Sequence, residues 1–389
     1  MKLLFLNHNV VNTGTFFRAF HVGRHLVMRG HEVTVITTSR QRRVGIGTYE
    51  RDGVRIEEMP DLLPGRARTG MDPWNTLHRL RAANREQWDL VYAFDSRPAV
   101  IIPALYVSRR QRIPLVMDWA DWWGRGGTIV DRSGPLVRNT VGIVEAWFEE
   151  RFRRDADATT VICQALEQRV TSLGVPASTI LRYPMGCDAP ADAVSRAEAR
   201  SRLGVDTGAR FLLHLGVSVQ KDADLLFDAF RSARQQEPSA RLVLVGNFRP
   251  ATPPELEADG SVVRTGIVPD DVLRDWLAAA DVCVLPMRDT IANRGRWPSK
   301  INDYFAAGRR VLTTRVSDAA AYVEAHGAGH VVAASVEGVS RGMLTLLRQT
   351  AADAAAGEAA ALRLARTDLA WDSIMDDVEV FLKRACDHA

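Results

Sequence analysis

Short apolar segments, several of which end in glycine or proline, alternate with helix-like segments along most of this chain. Glu32–Thr37 follows a helical repeat over Phe16–Arg29, and Arg241–Gly246 follows another over Leu225–Gln236. Strands that alternate with helices in this way form parallel sheets with helices packed on their faces. The chain has 389 residues, 46% of them hydrophobic and 25% charged, which is enough for two cores. The pattern therefore predicts an α/β protein of two Rossmann-like, doubly wound domains.

The predicted domains are residues 1–190 and 191–370, with a C-terminal helix over 371–389. Ala189–Ser195 consists mostly of small residues around Pro190, which is typical of an interdomain linker. The C-terminal segment has apolar residues at helical spacing. We expect this helix to pack back across the domain junction.

The segment Asn293–Gly308 is a loop with Gly and Pro that leads into a short helix. It lies between two apolar runs, Ala280–Pro286 and Arg310–Thr314, which are typical of buried parallel strands. Ligands of open α/β sheets bind at the carboxyl ends of the strands, and a helix N-terminus suits an anion such as phosphate. From the residues alone, an anion site and ordinary helix capping by Pro-Ser are both open.

Charge is distributed unevenly along the chain. Residues 1–190 carry 26 Lys/Arg against 20 Asp/Glu, whereas the remainder carries 24 against 27. Many of the basic residues in residues 1–190 are clustered arginines. Such clusters occur in proteins that bind an anionic partner and also on ordinary solvated surfaces. The four cysteines are far apart and the first apolar run stops at Asn7, so we expect a cytoplasmic protein without a disulfide framework or a signal peptide.

Four segments resemble glycosyltransferase family 4, whose members have the GT-B fold with two Rossmann-like domains facing a central cleft. Gly216–Leu226 is similar to the family's phosphate-binding strand, loop and helix, and Gly266–Pro286 is similar to its "GxV…ADVxVLP" segment. Pro298–Gly308 resembles the "PxKxxEYxAAG" form of the donor signature, and Pro184–Asp188 resembles the turn before the second domain. The resemblance covers essentially the whole chain.

The resemblance implies a nucleotide-sugar donor site in the second domain. Lys221 and Lys300 would lie at the diphosphate and act in catalysis, Asp303 would bind the ribose, and Gly266 and Val268 would lie near the base. The implied donor-binding set is Gly216, Lys221, Gly266, Val268, Arg296, Pro298, Ser299, Lys300, Ile301 and Asp303.

In the first domain, the segment from Pro114 to Trp123 resembles the family strand that ends beside donor and acceptor. Asp121 is the candidate catalytic or acceptor-orienting carboxylate, with Asp118 second, and Trp122 suits stacking on an acceptor. Gly14 would lie near acceptor and diphosphate. A purely structural role for these acids and tryptophans is the alternative.

Three positions depart from the family pattern. Gly295 stands where many relatives have a glutamate, Val217 where they have an arginine, and Ala120 where they have a histidine. Arg294 and Arg296 are candidates to meet the diphosphate charge instead.

The resemblance implies a retaining hexosyltransferase that uses no bound metal or cofactor and acts in polysaccharide or glycoconjugate biosynthesis. A UDP-sugar is favoured over a GDP-sugar as donor, and the acceptor is a glycan, a lipid-linked glycan or a small molecule. The predicted partners also include an anionic membrane, which the protein would contact peripherally at its inner face. Nucleic acid is not an expected partner. The alternatives are a nucleotide-sugar 2-epimerase of the same architecture and an inactive nucleotide-sugar binding protein.

Overall fold

The computed structural model describes residues 1–68, 70–131, 139–190, 194–206 and 208–387. The sequence pattern also predicts a helix over Leu136–Arg154. Residues 136–138 of this helix and residues 191–193 of the predicted linker lie outside the described part of the chain. The strands are β1 (Lys2–Val10), β2 (Glu32–Thr38), β3 (Gly47–Arg51), β4 (Val54–Met59), β5 (Leu90–Phe94), β6 (Leu115–Trp119), β7 (Ala158–Val161), β8 (Ile180–Arg182), β9 (Arg210–Leu215), β10 (Ala240–Val245), β11 (Val262–Gly266), β12 (Val282–Leu285), β13 (Val311–Thr314) and β14 (Gly329–Val332). The α-helices are α1 (Phe16–Met28), α2 (Pro73–Ala83), α3 (Pro98–Gln111), α4 (Val141–Arg151), α5 (Gln164–Ser172), α6 (Arg196–Leu203), α7 (Gln220–Arg234), α8 (Pro254–Ala258), α9 (Asp270–Ala279), α10 (Ile291–Arg294), α11 (Lys300–Ala306), α12 (Asp318–His326), α13 (Val336–Leu347), α14 (Ala351–Arg366) and α15 (Trp371–Asp387).

The chain forms two compact units, one of residues 1–184 with 371–389 and one of residues 185–370. The sheet of the first unit has the strand order β3-β4-β2-β1-β5-β6-β7-β8. Strand β3 runs antiparallel to β4, and the other neighbouring pairs are parallel. Because the chain winds outward from β1 in both directions, the strand order reverses between β1 and β5, where open α/β sheets bind their ligands.

The second unit contains a fully parallel sheet in the order β11-β10-β9-β12-β13-β14. Its core is built from the apolar faces of α7 and α13 packed on these strands, with Phe227, Phe230 and Met343 buried between them. The strand order reverses between β9 and β12. The prediction of two parallel-sheet α/β domains is therefore confirmed.

The C-terminal helix α15 belongs to the first unit, where it packs against α1. Trp371 stacks on His21 with ring centroids 5.4 Å apart, and Leu382 on the same helix is completely buried. At the rim, Arg29 reaches Glu379 at 3.2 Å. The last helix thus completes the core of a unit whose other elements come from the opposite end of the chain.

We expect Leu382→Ala to lower the free energy of unfolding of the first unit by about 2–4 kcal/mol, because it leaves a cavity beneath α15. Val380, on the same helix, is 56% exposed, and Val380→Ala should change this free energy by less than about 0.5 kcal/mol. Urea denaturation of the full chain measures both. Equal effects of the two substitutions would contradict this packing of α15.

Candidate functional site

Three adjacent strands of the second unit end at glycines in the left-handed region of backbone space. Gly216, Gly246 and Gly266 have φ angles of +71°, +90° and +69°. The Gly216 amide donates to Val245 O at 2.7 Å, and the Gly246 amide donates to Gly266 O at 2.7 Å. A Cβ atom on Gly246 would lie 3.4 Å from the Gly216 backbone. This edge of the sheet therefore offers backbone without side chains, as close approach of a ligand requires.

Lys300 places its ammonium at this edge. Its Nζ donates to Val217 O at 2.6 Å and lies 3.3 Å from His214 Nε2. His214 Nδ1 lies 2.9 Å from the Val284 carbonyl, so Nδ1 carries the proton and Nε2 accepts from Lys300. Burial and the Lys300 charge hold the pKa of His214 well below its usual value. A neutral histidine and a carbonyl thus orient the ammonium without neutralising it.

The pKa of the Lys300 ammonium lies near neutral pH. Although the side chain is partly exposed, desolvation by the surrounding protein lowers the pKa of its ammonium to about 7, and repulsion from Arg296 acts in the same direction. Asp222 and Asp303 oppose this shift. An anion placed beside Nζ would favour the charged form and raise the pKa again.

Asp222, in the first turn of α7, organises the loop that precedes Lys300. Its buried carboxylate accepts from Arg288 N at 2.7 Å and from Asn293 Nδ2 at 3.0 Å, and the Arg296 guanidinium lies 3.4 Å away. Burial raises the pKa of Asp222 in spite of these contacts. An acid at the start of a helix is expected from sequence to act as a cap, whereas the structure shows Asp222 holding Arg296 and the loop in place.

A second set of contacts fixes the start of α11. Asn302 Oδ1 accepts from Trp297 Nε1 at 2.9 Å, and Asn302 Nδ2 donates to the carbonyls of Met185 and Gly186 at 2.7 and 2.8 Å. Asn302 is buried. Asn302 ties the loop before α11 to the first residues of the unit. The contacts of Asp222 and those of Asn302 therefore both fix the position of Lys300.

The other residues predicted to bind the donor at and just before α11 differ in solvent exposure. Pro298 is buried, Ser299 is exposed at the N-cap without a capping hydrogen bond, and the Asp303 side chain is open to solvent. Ile301 is completely buried and its amide donates to Pro298 O at 2.9 Å. The amide of Ile301, predicted to contact the donor, is therefore already used within the loop.

Lys221 and Val268 lie at the same carboxyl edge of the second sheet. Lys221 is exposed in the first turn of α7, a helix of 15 residues whose N-cap, Val219, supplies no capping side chain. Val268 is partly exposed in the loop after β11. The structure thus places Lys221, Lys300, Gly216, Gly266 and Val268 around the ends of β9, β10 and β11.

Asp118 is part of the core of the first unit. Its carboxylate accepts hydrogen bonds from Arg18 Nε at 3.0 and 3.1 Å and from Thr160 Oγ1 at 2.6 Å. The side chains of Arg18 and Asp118 are only 2% and 1% exposed. Arg18 also donates to the carbonyls of Tyr183 and Pro184. Arg18 and Thr160 therefore hold the carboxylate of Asp118, which was predicted to lie on the acceptor side, within the core.

Asp121 and Trp122 lie on a loop that follows β6 and are partly exposed. The loop is held by buried Glu149, which accepts from Trp119 Nε1 at 2.9 Å, Trp123 N at 2.8 Å and Gly124 N at 2.5 Å. Burial raises the pKa of Glu149 to about 7 even though these donors act against the shift. Glu149 therefore positions the loop that carries Asp121.

Asp95, which sequence reasoning missed, lies at the end of β5, where the strand order reverses. It has a φ angle of +128°, and its carboxylate lies 3.0 Å from His8 Nδ1. Burial alone would raise the pKa of Asp95, but His8, Arg97 and the Ser96 amide hold it well below its usual range. Such strain in a non-glycine residue is common at functional sites. The sequence signal was an acid directly after a fully apolar strand.

Gly14 lies in the turn before α1, with a φ angle of +52°. A Cβ atom there would lie 2.8 Å from the Asn9 side chain, whose Oδ1 accepts from the Thr15 amide at 2.9 Å. Thr15, Asp95, Asp121 and Glu149 line one small pocket of the first unit. The predicted residues Gly14 and Asp121 thus lie close to Asp95 at the carboxyl edge of this sheet.

Within the described ranges, we find no group of three or more His, Cys, Asp or Glu side chains arranged to hold a metal ion. None of the helices in the described part of the chain combines the length and apolar character that crossing a lipid bilayer requires.

Comparison with protein families decides the identity of the fold. Residues 13–186 match the family described as "Glycosyl transferase 4-like domain", and residues 209–349 match "Glycosyl transferases group 1". Together these matches span well over half of the chain. The chain belongs to the GT-B glycosyltransferases of the family 4 kind.

Several solved structures resemble this glycosyltransferase over almost its full length. Sucrose-phosphate synthase from Thermosynechococcus elongatus superposes with a TM-score of 0.75 at 13% identity, covering 100% of both chains. HepE from Anabaena, in complex with UDP and glucose, gives 0.68 at 17% identity, covering 99% of this chain and 100% of that one. WaaG, a glycosyltransferase of lipopolysaccharide biosynthesis, gives 0.70 at 18% identity, covering 99% and 98%. No curated protein matches the sequence.

Asp118→Ala should lower the free energy of unfolding of this glycosyltransferase by about 3–5 kcal/mol, because it leaves the buried Arg18 charge unpaired. Asp121→Ala, at a partly exposed position of the same segment, should cost less than about 1 kcal/mol. Urea denaturation compares the two variants. A small effect for Asp118→Ala would show that the buried ion pair is not formed.

Proposed function

We propose that this glycosyltransferase moves a sugar from a nucleoside diphosphate sugar to an acceptor hydroxyl, with retention of anomeric configuration and without a bound metal. The observation that carries the proposal is the Lys300 ammonium, held 2.6 Å from Val217 O at a sheet edge that ends in three glycines. A cation beside accessible backbone suits a diphosphate.

In this proposal, the diphosphate lies between Lys300 and the N-terminus of α7. The first turn of α7 supplies the positive end of the helix dipole, and Lys221 adds a cation there. Arg296 can reach the same region, although Asp222 and Asn293 share its guanidinium. These groups together offset the negative charge that develops on the leaving diphosphate.

The nucleoside is proposed to extend from the diphosphate along the carboxyl edge of the second sheet. Asp303, open to solvent one turn after Lys300, can accept hydrogen bonds from the ribose hydroxyls. The loop of Gly266 and Val268 would receive the base. The structure of HepE with UDP and glucose supports a UDP-sugar as the donor here.

The acceptor is proposed to bind at the carboxyl edge of the first sheet, at Asp121, Trp122 and the turn of Gly14. Asp121 would orient the acceptor hydroxyl by accepting a hydrogen bond from it, and Trp122 offers a partly exposed ring for stacking on a sugar. Asp118 takes no part in this proposal because it is buried against Arg18.

The proposed reaction proceeds on one face of the sugar. The bond from the anomeric carbon to the diphosphate oxygen breaks, and a bond to the acceptor oxygen forms on the same face. The hydroxyl proton passes to the departing phosphate oxygen. Lys300 and Lys221 act by electrostatic stabilisation, so neither has to transfer a proton.

Lys300→Met should lower acceptor-dependent nucleotide release by about 100-fold or more, because it removes the cation at the leaving group. Its melting temperature should stay close to that of the wild type. The matched control is Lys383→Met, since Lys383 is a 55% exposed lysine on α15 that pairs with Glu379. A set of UDP-, GDP- and dTDP-sugars with candidate glycan, lipid-linked and small-molecule acceptors provides the assay.

Three results would contradict the proposal. Near wild-type turnover of Lys300→Met would remove Lys300 from the mechanism. An epimerised donor formed without acceptor would identify a 2-epimerase. Nucleotide binding without turnover of any donor and acceptor pair would identify a binding protein.

A further inference from the structure

Helices α2, α3 and α4 form one layer on the same face of the first sheet. Helix α2 packs along α3, and α3 and α4 are joined near both ends, by a buried ion pair between Arg97 and Glu145 and by Arg109 and Asp155 at 3.7 Å. Each helix follows a strand of the parallel sheet, so the three helices run in the same direction. Their outer sides therefore make one continuous surface of the unit.

The first two-thirds of each helix presents large apolar side chains to solvent. Their exposed fractions range from 37% to 63%. The residues are Leu77, Ile102, Tyr106, Ile143, Val144 and Trp147. Single exposed apolar residues are common on soluble proteins, but a group on neighbouring helices marks an interaction site.

Helix α4 has the reverse of the usual polarity. It turns Glu145 and Glu149 inward, each 5% exposed, and leaves Ile143 and Trp147 in solvent at 63% and 49%. Glu145 is paired with Arg97, and Glu149 is occupied by the loop after β6. The acids of α4 are thus fixed inside the unit, so the apolar side has to face outward.

Arginines occupy the other end of the same surface. Arg81, Arg109, Arg110 and Arg151 are exposed at the ends of the three helices. Arg85 and Arg154, just beyond α2 and α4, are exposed as well. By contrast, Arg79 and Arg153 of the same sequence clusters turn inward and are at most 1% exposed.

Negative charge is scarce on this surface. Helices α2 and α3 contain no Asp or Glu at all. Asp155 is shared by Arg109 and Arg151, and Glu150, with 14% of its side chain exposed, pairs with Arg169. Burial and the charges of Arg81 and Arg85 lower the pKa of His78, consistent with a positive potential here.

We propose that the outer surface of α2, α3 and α4 docks on an anionic lipid bilayer. The apolar band would enter the boundary between headgroups and acyl chains, where Trp and Tyr side chains are favoured. The arginine band would contact the negatively charged headgroups, with the arginine stems lying along the apolar surface. A nucleic acid would use the arginines but leave the apolar band exposed. This docking is independent of the sugar-transfer proposal.

Co-sedimentation of the full chain with phosphatidylcholine vesicles, with and without phosphatidylglycerol, tests the surface. We expect binding to the anionic vesicles that weakens as salt is raised. Ile143→Ser with Trp147→Ser should weaken this binding at least tenfold, and Arg110→Gln with Arg154→Gln should do the same. The control is Met28→Ser with Val380→Ser, which removes apolar side chains that are 70% and 56% exposed on α1 and α15, and should bind as the wild type does. Each variant should keep the wild-type melting temperature.

Several outcomes would overturn the proposal. Absence of vesicle binding, equal binding to neutral and anionic vesicles, or unchanged binding of the α4 double variant would each do so. A concentration-dependent dimer that Ile143→Ser with Trp147→Ser abolishes, in a protein that ignores vesicles, would identify a protein interface. Duplex DNA binding that depends on the arginines alone would identify a nucleic-acid surface.

Discussion

The hydrogen bond from Lys300 to the Val217 carbonyl is the interaction on which the proposed donor site depends. It holds a cation at the end of β9, and the second hydrogen-bond partner of this cation is the neutral His214. Asp222 and Asn302 hold the loop and the helix on either side of it. The core of the second unit therefore fixes one ammonium whose charge remains available to an anion.

In the first unit, buried charged side chains likewise hold the residues around the predicted acceptor side in place. Asp118 pairs with Arg18 inside the core. Glu149 accepts hydrogen bonds from two backbone amides of the loop after β6 and from the indole of Trp119. These pairs leave Asp121 partly exposed at the same edge where Asp95 is held in a strained conformation. The inward-facing acids of α4 also explain how one helix can hold that loop and still present apolar side chains outward.

Periodicity was enough to predict the parallel sheets, since buried strands such as β5 and β12 are apolar throughout. Short pairing strands such as β3, β8 and β14 were missed, because their residues are half exposed and their pairing depends on neighbours distant in sequence. The start of α7 was predicted five residues late, since Gln220 to Asp224 is polar. The position of Lys300 followed from a family motif, but its partner His214 did not, because a single histidine in an apolar strand resembles an ordinary core residue.

The proton balance of nucleotide binding tests the role of Lys300 most directly. With a pKa of about 7, the free ammonium is largely deprotonated at pH 8 and largely protonated at pH 6, and a bound diphosphate should restore the proton. Titration calorimetry with UDP in buffers of different ionisation enthalpy measures this uptake. We predict close to one proton per nucleotide at pH 8, much less at pH 6, and almost none in Lys300→Met at pH 8. Binding without proton uptake at pH 8, or with the same uptake in Lys300→Met, would contradict the account.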